Sequence, residues 1–149
     1  MMTAKDDQKF ALYELLVTTA ENVSDRRAQA NAWMLSVNSA IVALYGYLQP
    51  DKAVVGSNAI KDVWLWAIPM TGILVCLAWF TLLTSYRSLN RAKFKVLKEI
   101  ESGLAVQLFT DEEKAYRAEG RLSLSKIESA IPWTFIILYL AMATAALVL

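Results

Sequence analysis

Residues 63–83 read VWLWAIPMTGILVCLAWFTLL, 21 positions without a charge. At about 1.5 Å of rise per residue, a helix of that length covers a hydrocarbon core of roughly 30 Å. The property recurs at 131–149, IPWTFIILYLAMATAALVL. A third run, Trp33 to Leu48, is weaker, because Ser36, Asn38, Ser39 and Gly46 interrupt it. It reaches the lower length limit of about 17 residues once Ala32 and Gln49 are added. Two uncharged runs of about 20 in so short a chain leave too little polar sequence to cover them as core helices of a soluble domain. The fold class is therefore an all-α membrane protein with three transmembrane helices.

Composition agrees. Hydrophobic residues make up 56% and charged residues 19% of the 149, and the mean hydropathy is +0.36. There is no histidine and a single cysteine. Disulfide frameworks, cysteine zinc sites and imidazole bases are excluded. No Gly-rich phosphate loop, nucleophile elbow or HExxH motif occurs. The reading is no enzyme, no cofactor and no metal, and a net charge of +1 gives no reason to expect nucleic acid. The acidic run Asp111, Glu112 and Glu113 reads as compensation of a helix dipole. Cys76, mid-span with no charged neighbour, reads as an inert packing residue.

Basic residues set the orientation. Between the second and third spans lie Arg87, Arg91, Lys93, Lys95, Lys98, Lys114, Arg117, Arg121 and Lys126, nine of the fifteen. Arg26 and Arg27 precede the first span, and the linker 50–62 holds only Lys52 and Lys61. Positive-inside counting puts the arm and the 84–130 segment in the cytoplasm of a bacterial inner membrane, and the linker outside. The expected order is a cytoplasmic amphipathic helix over 1–31, spans at 32–49 and 63–83 joined by the external linker 50–62, a cytoplasmic extension with a short helix over 84–130, and a last span at 131–149. The N-terminus is then cytoplasmic and the C-terminus external. The polar start MMTAKDDQKF lacks an apolar signal region, so the first span reads as an uncleaved anchor. Trp33, Trp64, Trp66 and Trp133 fall near span ends, where indoles anchor at the interface; Trp79 lies deeper and reads as packing.

No Gly or Pro occurs between residues 1 and 45, which predicts one helix from about Gln8 to Leu48. Phe10, Tyr13, Val17, Ala20 and Val23 or Ser24 give its arm an apolar stripe. The second helix runs on without a breaker to Gly103, with a stripe of Tyr86, Leu89, Val96 or Leu97, and Ile100. The two extensions form a helical stalk reaching about 25–35 Å into the cytosol. Thr110 with Glu113 predicts a capping box opening a short helix that Gly120 closes. Ser125 with Glu128 predicts a second box before the last span. Pro132 is expected either in that helix's first turns or at a fresh start, and Pro69 is expected to kink the second span.

The informative polar residues lie on the first helix. Ser24, Asn31, Asn38 and Tyr45 recur every seven residues along one narrow stripe. An amide near mid-bilayer must face protein or water. The stripe therefore either fixes helix register by hydrogen bonds or lines a polar path through an oligomer. A second stripe is basic: Arg87, Arg91 and Lys95 at i, i+4 and i+8, with Arg26 and Arg27 on the first helix. It either determines topology and touches anionic headgroups, or forms a positive ring at a cytoplasmic mouth or a docking site for an acidic partner. Ala141 with Ala145, and Gly72 with Cys76, are weak small-residue pairs. Three spans, one of them marginal, make a poor self-sufficient bundle, so the chain is expected to assemble as a homo-oligomeric ring with closed cyclic symmetry.

The strings FALYELLVTTAENVSDRRAQANAWMLSVNSAIVAL, WLWAIPMTGILVCLAWFTLLTSYRSLNRAKFKVLKEIE and IESAIPWTFIILYL resemble the RipA family of small bacterial inner-membrane proteins. They are also similar in plan to the SLATT-type membrane effectors found near anti-phage genes. The likeness covers roughly residues 8–140, and its most specific pieces are SDRRAQAN at 24–31, SYRSLNRAKFKV at 85–96 and IPW at 131–133. The resemblance implies an octameric ring and, from the SLATT-like relatives, pore formation or membrane disruption in antiviral defence. It brings no catalytic residues. The 103–130 segment is short for that family, which points to a separate cytosolic protein partner. The expectation is a pore or membrane-disrupting ring in contact with membrane lipids. The alternative is a non-conducting scaffold that recruits a partner or organises lipid, and a phage holin ranks third.

Overall fold

A computed structural model describes residues 4–48, 58–103, 107–118 and 124–148. The regular structure among them is helical: α1 Ala4–Tyr47, α2 Asn58–Glu101, α3 Leu108–Ala118 and α4 Leu124–Val148. α1 and α2 are 44 residues each, and α2 continues through Pro69. The Ser102 and Gly103 amides close its last turn on the Lys98 and Ile100 carbonyls. α4 likewise runs through Pro132, its ninth residue, without a fresh start there. Ser125 is the second residue of α4. Gly120 and the 50–57 part of the linker lie outside the described residues.

Two of the described helices are long and apolar enough to cross a membrane, over Val63–Glu101 and Ile127–Ala145. The 32–49 stretch of α1, expected as a third span, is not among them. Its two serines, single asparagine and glycine dilute the hydropathy of a helix that is otherwise unbroken.

The helices form two compact units. The first joins Gln29–Leu83 to Ser125–Leu149, and so holds the second half of α1, the first part of α2, and α4. Cys76, Ile136 and Tyr139 form its core, with Ile41, Val42, Ile73, Phe135 and Met142 packed against them. Trp79 is fully buried, its ring 6.3 Å from Phe135, while Phe80 meets Trp133 edge-on at 5.9 Å. The outside of this unit is apolar too: Val63, Met70, Leu74, Ile137 and Leu140 are all exposed. A helix cluster that is apolar inside and out suits a bilayer. Trp33, Trp64, Trp66 and Trp133 stand on that outer surface.

The second unit joins Met1–Ala28 to Thr84–Leu124, and so holds the first half of α1, the end of α2, and α3. Ala20, Val23 and Leu97 are buried at its centre. Phe109 of α3 closes the cluster, 6.2 Å from Tyr13 and 5.7 Å from Phe94. The expected stripes need correction. Phe10 is 56% exposed, and Leu89 and Val96 are 46% and 43% exposed, whereas Leu97 is sealed. The inner side of α2 runs through Asn90, Phe94, Leu97 and Glu101, steps of four, three and four, which leaves Leu89 and Val96 on its outer flank.

Candidate functional site: a polar ladder on the first helix

Positions 31, 38 and 45 of α1 face α2 and α4, each carrying a hydrogen bond between helices. The Trp79 indole N–H donates to Asn31 Oδ1 at 2.9 Å. The Tyr45 hydroxyl donates to the Met142 carbonyl at 3.1 Å. Asn38 stands between them, fully buried. Its Oδ1 accepts from the Tyr139 hydroxyl at 3.0 Å and from the Cys76 thiol at 3.1 Å, and its Nδ2 donates to the Met34 carbonyl at 2.8 Å. The Tyr139 hydroxyl is also 3.2 Å from the Asn38 backbone carbonyl.

Burial with full pairing is what an amide in an apolar layer requires, since an unpaired one costs several kcal/mol. Asn38 ties α1 to two other helices at once. The heptad spacing works because seven residues are nearly two turns, so each rung returns to the same side of α1. Ser24, the fourth member of the stripe, does not join the ladder: its hydroxyl donates to the Ala20 carbonyl in its own helix. The rungs are amide, phenol, thiol and indole, each joined to its partner by a hydrogen bond between helices.

Two further residues belong to the ladder's surroundings: Gly72, marked in the sequence only by its small-residue pairing with Cys76, and Tyr139, which carries no spacing signal. Gly72 of α2 lies flat under the Tyr139 ring, and a Cβ there would sit deep inside van der Waals contact with three ring carbons. Tyr139 is the one tyrosine in its apolar run and looks like one more aromatic. A glycine with no turn to make, inside a helix, is the sequence mark of such a close approach.

The second unit has its own polar centre, at Glu101. The predicted capping box is not formed: Thr110 is the third residue of α3, and Glu113 pairs with Lys98. Glu101 of α2 supplies the cap instead. Its carboxylate accepts the Phe109 N–H at 2.8 Å, the Thr110 N–H at 3.2 Å and the Thr110 hydroxyl at 3.1 Å. The Tyr13 hydroxyl donates to the same carboxylate at 3.1 Å. Burial pushes the Glu101 carboxyl up, but these four donors outweigh it and hold its pKa below the ordinary range. Burial and the same carboxylate push the Tyr13 phenol up.

The basic residues divide. Arg26 is exposed, and Arg27 and Arg87 are half-buried. Arg91 and Lys95 are exposed at the lip of a groove of about 640 Å³, floored by Phe94, Phe109 and Tyr116. Asp111 pairs with Lys114 at 3.0 Å, and among the described residues no group of three or more His, Cys, Asp or Glu could hold a metal.

No curated protein and no solved structure matches the chain. Residues 10–148, nearly its whole length, match the Octameric membrane protein family (8xMP), and the chain belongs to that family.

Proposed function

We propose that the protein forms a ring in the bacterial inner membrane and opens a leak pathway there, acting without catalysis. Each copy crosses the bilayer three times, at 32–49, 63–83 and 131–149, with its N-terminus cytoplasmic and its C-terminus external.

The observation that carries this reading is the exposed side of α1. Ala32, Ser36, Ser39, Ala43 and Gly46 follow one another at steps of four and three, and all five are exposed. The strip is narrow, with exposed Leu35 and Tyr47 on its two flanks, but the side chains along it are small. It lets another helix or water come close. The polar ladder lies about a third of a turn round the helix from this strip, so Asn31, Asn38 and Tyr45 brace the protomer while Ser36 and Ser39 border the pathway. Pairing within the protomer also removes the cost that makes 32–49 a poor span on its own. A family named for octamers supplies the copies, and closed cyclic symmetry arranges them. The count of basic residues supports the orientation.

The test is dye release or ion flux from vesicles carrying the purified chain. The expected result is a leak that Ser39→Leu cuts about tenfold while the mass of the assembly stays unchanged. Intact rings that pass nothing under an applied potential would replace the pore with the scaffold reading.

A further inference from the structure

The second unit carries two opposite charge stripes that do not meet within the chain. Glu14 and Glu21 are seven residues apart on α1, with Asp25 four further on, so the three share one side. Arg91 and Lys95, four apart, share one side of α2. All five are exposed, and among the described contacts no side chain of the set has a hydrogen-bond or ion-pair partner. Each stripe edges a different groove: Glu21 and Asp25 with Val17 and Ala20, Arg91 and Lys95 with Tyr116.

The two stripes stand at matching height. Tyr13 lies against Glu101, and the Lys93 ammonium donates to the Thr19 carbonyl at 3.1 Å, so α1 and α2 run antiparallel in a fixed register. That register sets Glu21 level with Arg91, and Lys95 between Glu21 and Glu14. Copies related by rotation about a ring axis keep the same height, so a stripe on one copy can reach only what lies level with it on the next.

Lipid headgroups are not the natural occupant of the basic stripe. Arg91 and Lys95 follow the end of the 63–83 run by eight and twelve residues, about 12 and 18 Å along α2, beyond a headgroup layer roughly 5–8 Å deep. A contact between two different surfaces of identical chains is heterologous, the kind that closes into a ring.

We propose that the acidic stripe of α1, Glu14, Glu21 and Asp25, docks on the basic stripe of α2, Arg91 and Lys95, of a second copy of this chain, repeating around the assembly. This rests on the ring reading above. The contact sets which faces meet more than how tightly they hold, and it weakens as salt rises.

The experiment uses two full-length chains with different tags. One carries Glu21→Lys and Asp25→Lys, so both its stripes are positive; the other carries Arg91→Glu and Lys95→Glu, so both are negative. Each is expressed alone and with the other, then extracted in mild detergent at about 0.1 M salt and weighed by native mass spectrometry. The expected result is that each alone loses at least about tenfold in assembled fraction against the unmodified chain. Together they regain it, with the two chains in equal number, and a chain bearing all four reversals assembles by itself. Reversed chains that assemble alone as the unmodified chain does would overturn the docking and leave the ring standing. Assembly lost alone and not regained together would overturn it too, because charge complementarity would not be the cause. An unmodified chain that is itself monomeric would overturn the ring and the docking with it.

Discussion

Asn38 meets a steep demand, because it is sealed from solvent and its one side-chain carbonyl oxygen serves both Tyr139 and Cys76. Asn38→Leu removes that acceptor, orphaning the thiol and leaving the phenol only the residue-38 backbone carbonyl at 3.2 Å. Helix–helix hydrogen bonds in membranes average less than 1 kcal/mol, but an orphaned buried group costs about 1–3 kcal/mol. The expected loss is about 2 kcal/mol, read as earlier thermal unfolding in detergent, and Tyr139→Phe should lose less because it strands no acceptor without a second donor. Gly72 makes a sharper test. Gly72→Ala drives a methyl group into the Tyr139 ring and should cost about 1–3 kcal/mol. Combined with Tyr139→Leu, which vacates that space, the same change should cost less than half as much. Additive losses in that cycle would show that the ring and the glycine do not press on each other.

At the scale of the element, α3 is an 11-residue helix that could not persist alone in water. Two things hold it: the Phe109 ring between Tyr13 and Phe94, and the Glu101 carboxylate on its first amides. The second is pH-dependent. The folded carboxyl has a pKa below its ordinary value of 4.5, so its contribution is fully present above that value and is lost as pH falls through the lower, folded pKa. Protease cleavage within 107–118 should therefore be slow at pH 6 and quicken below about pH 4. Glu101→Gln should be cleaved quickly at both. An equal acid response in the two chains would place the titration elsewhere. This element also shows what could be read from sequence and what could not. The short helix after Gly103 was legible from its acidic start and local pattern. Its cap was not, because Thr110 and Glu113 satisfy the local motif but are claimed by Glu101 and Lys98 of α2. Heptad spacing likewise singled out Asn31, Asn38 and Tyr45. Their partners Cys76, Trp79 and Tyr139 lie in runs where every residue is apolar enough to be inside, so hydropathy ranks none of them above its neighbours.

For the whole molecule, the polar ladder makes the first helix dependent on the others. In the three-span reading proposed above, 32–49 is a marginal span, and the Asn38 amide that counts most against it is paired with α2 and α4 in the protomer. The two settings therefore assign opposite signs to one substitution. In an isolated segment an amide near mid-bilayer opposes insertion, whereas a leucine there contributes about −0.5 kcal/mol, so Asn38→Leu should raise the inserted fraction of a lone 28–50 helix fused to a reporter. In the full chain the same change breaks three-helix contacts and should lower the folded fraction. The measurement pairs glycosylation-site mapping of the fused segment with thermal unfolding of the intact protein. Opposite signs would mean that α1 enters the bilayer through its neighbours. A loss in both would mean that Asn38 serves insertion itself. A gain in both would mean that the ladder contributes nothing to the assembled protomer, and Asn38 would then have to be sought in the wall of the pathway.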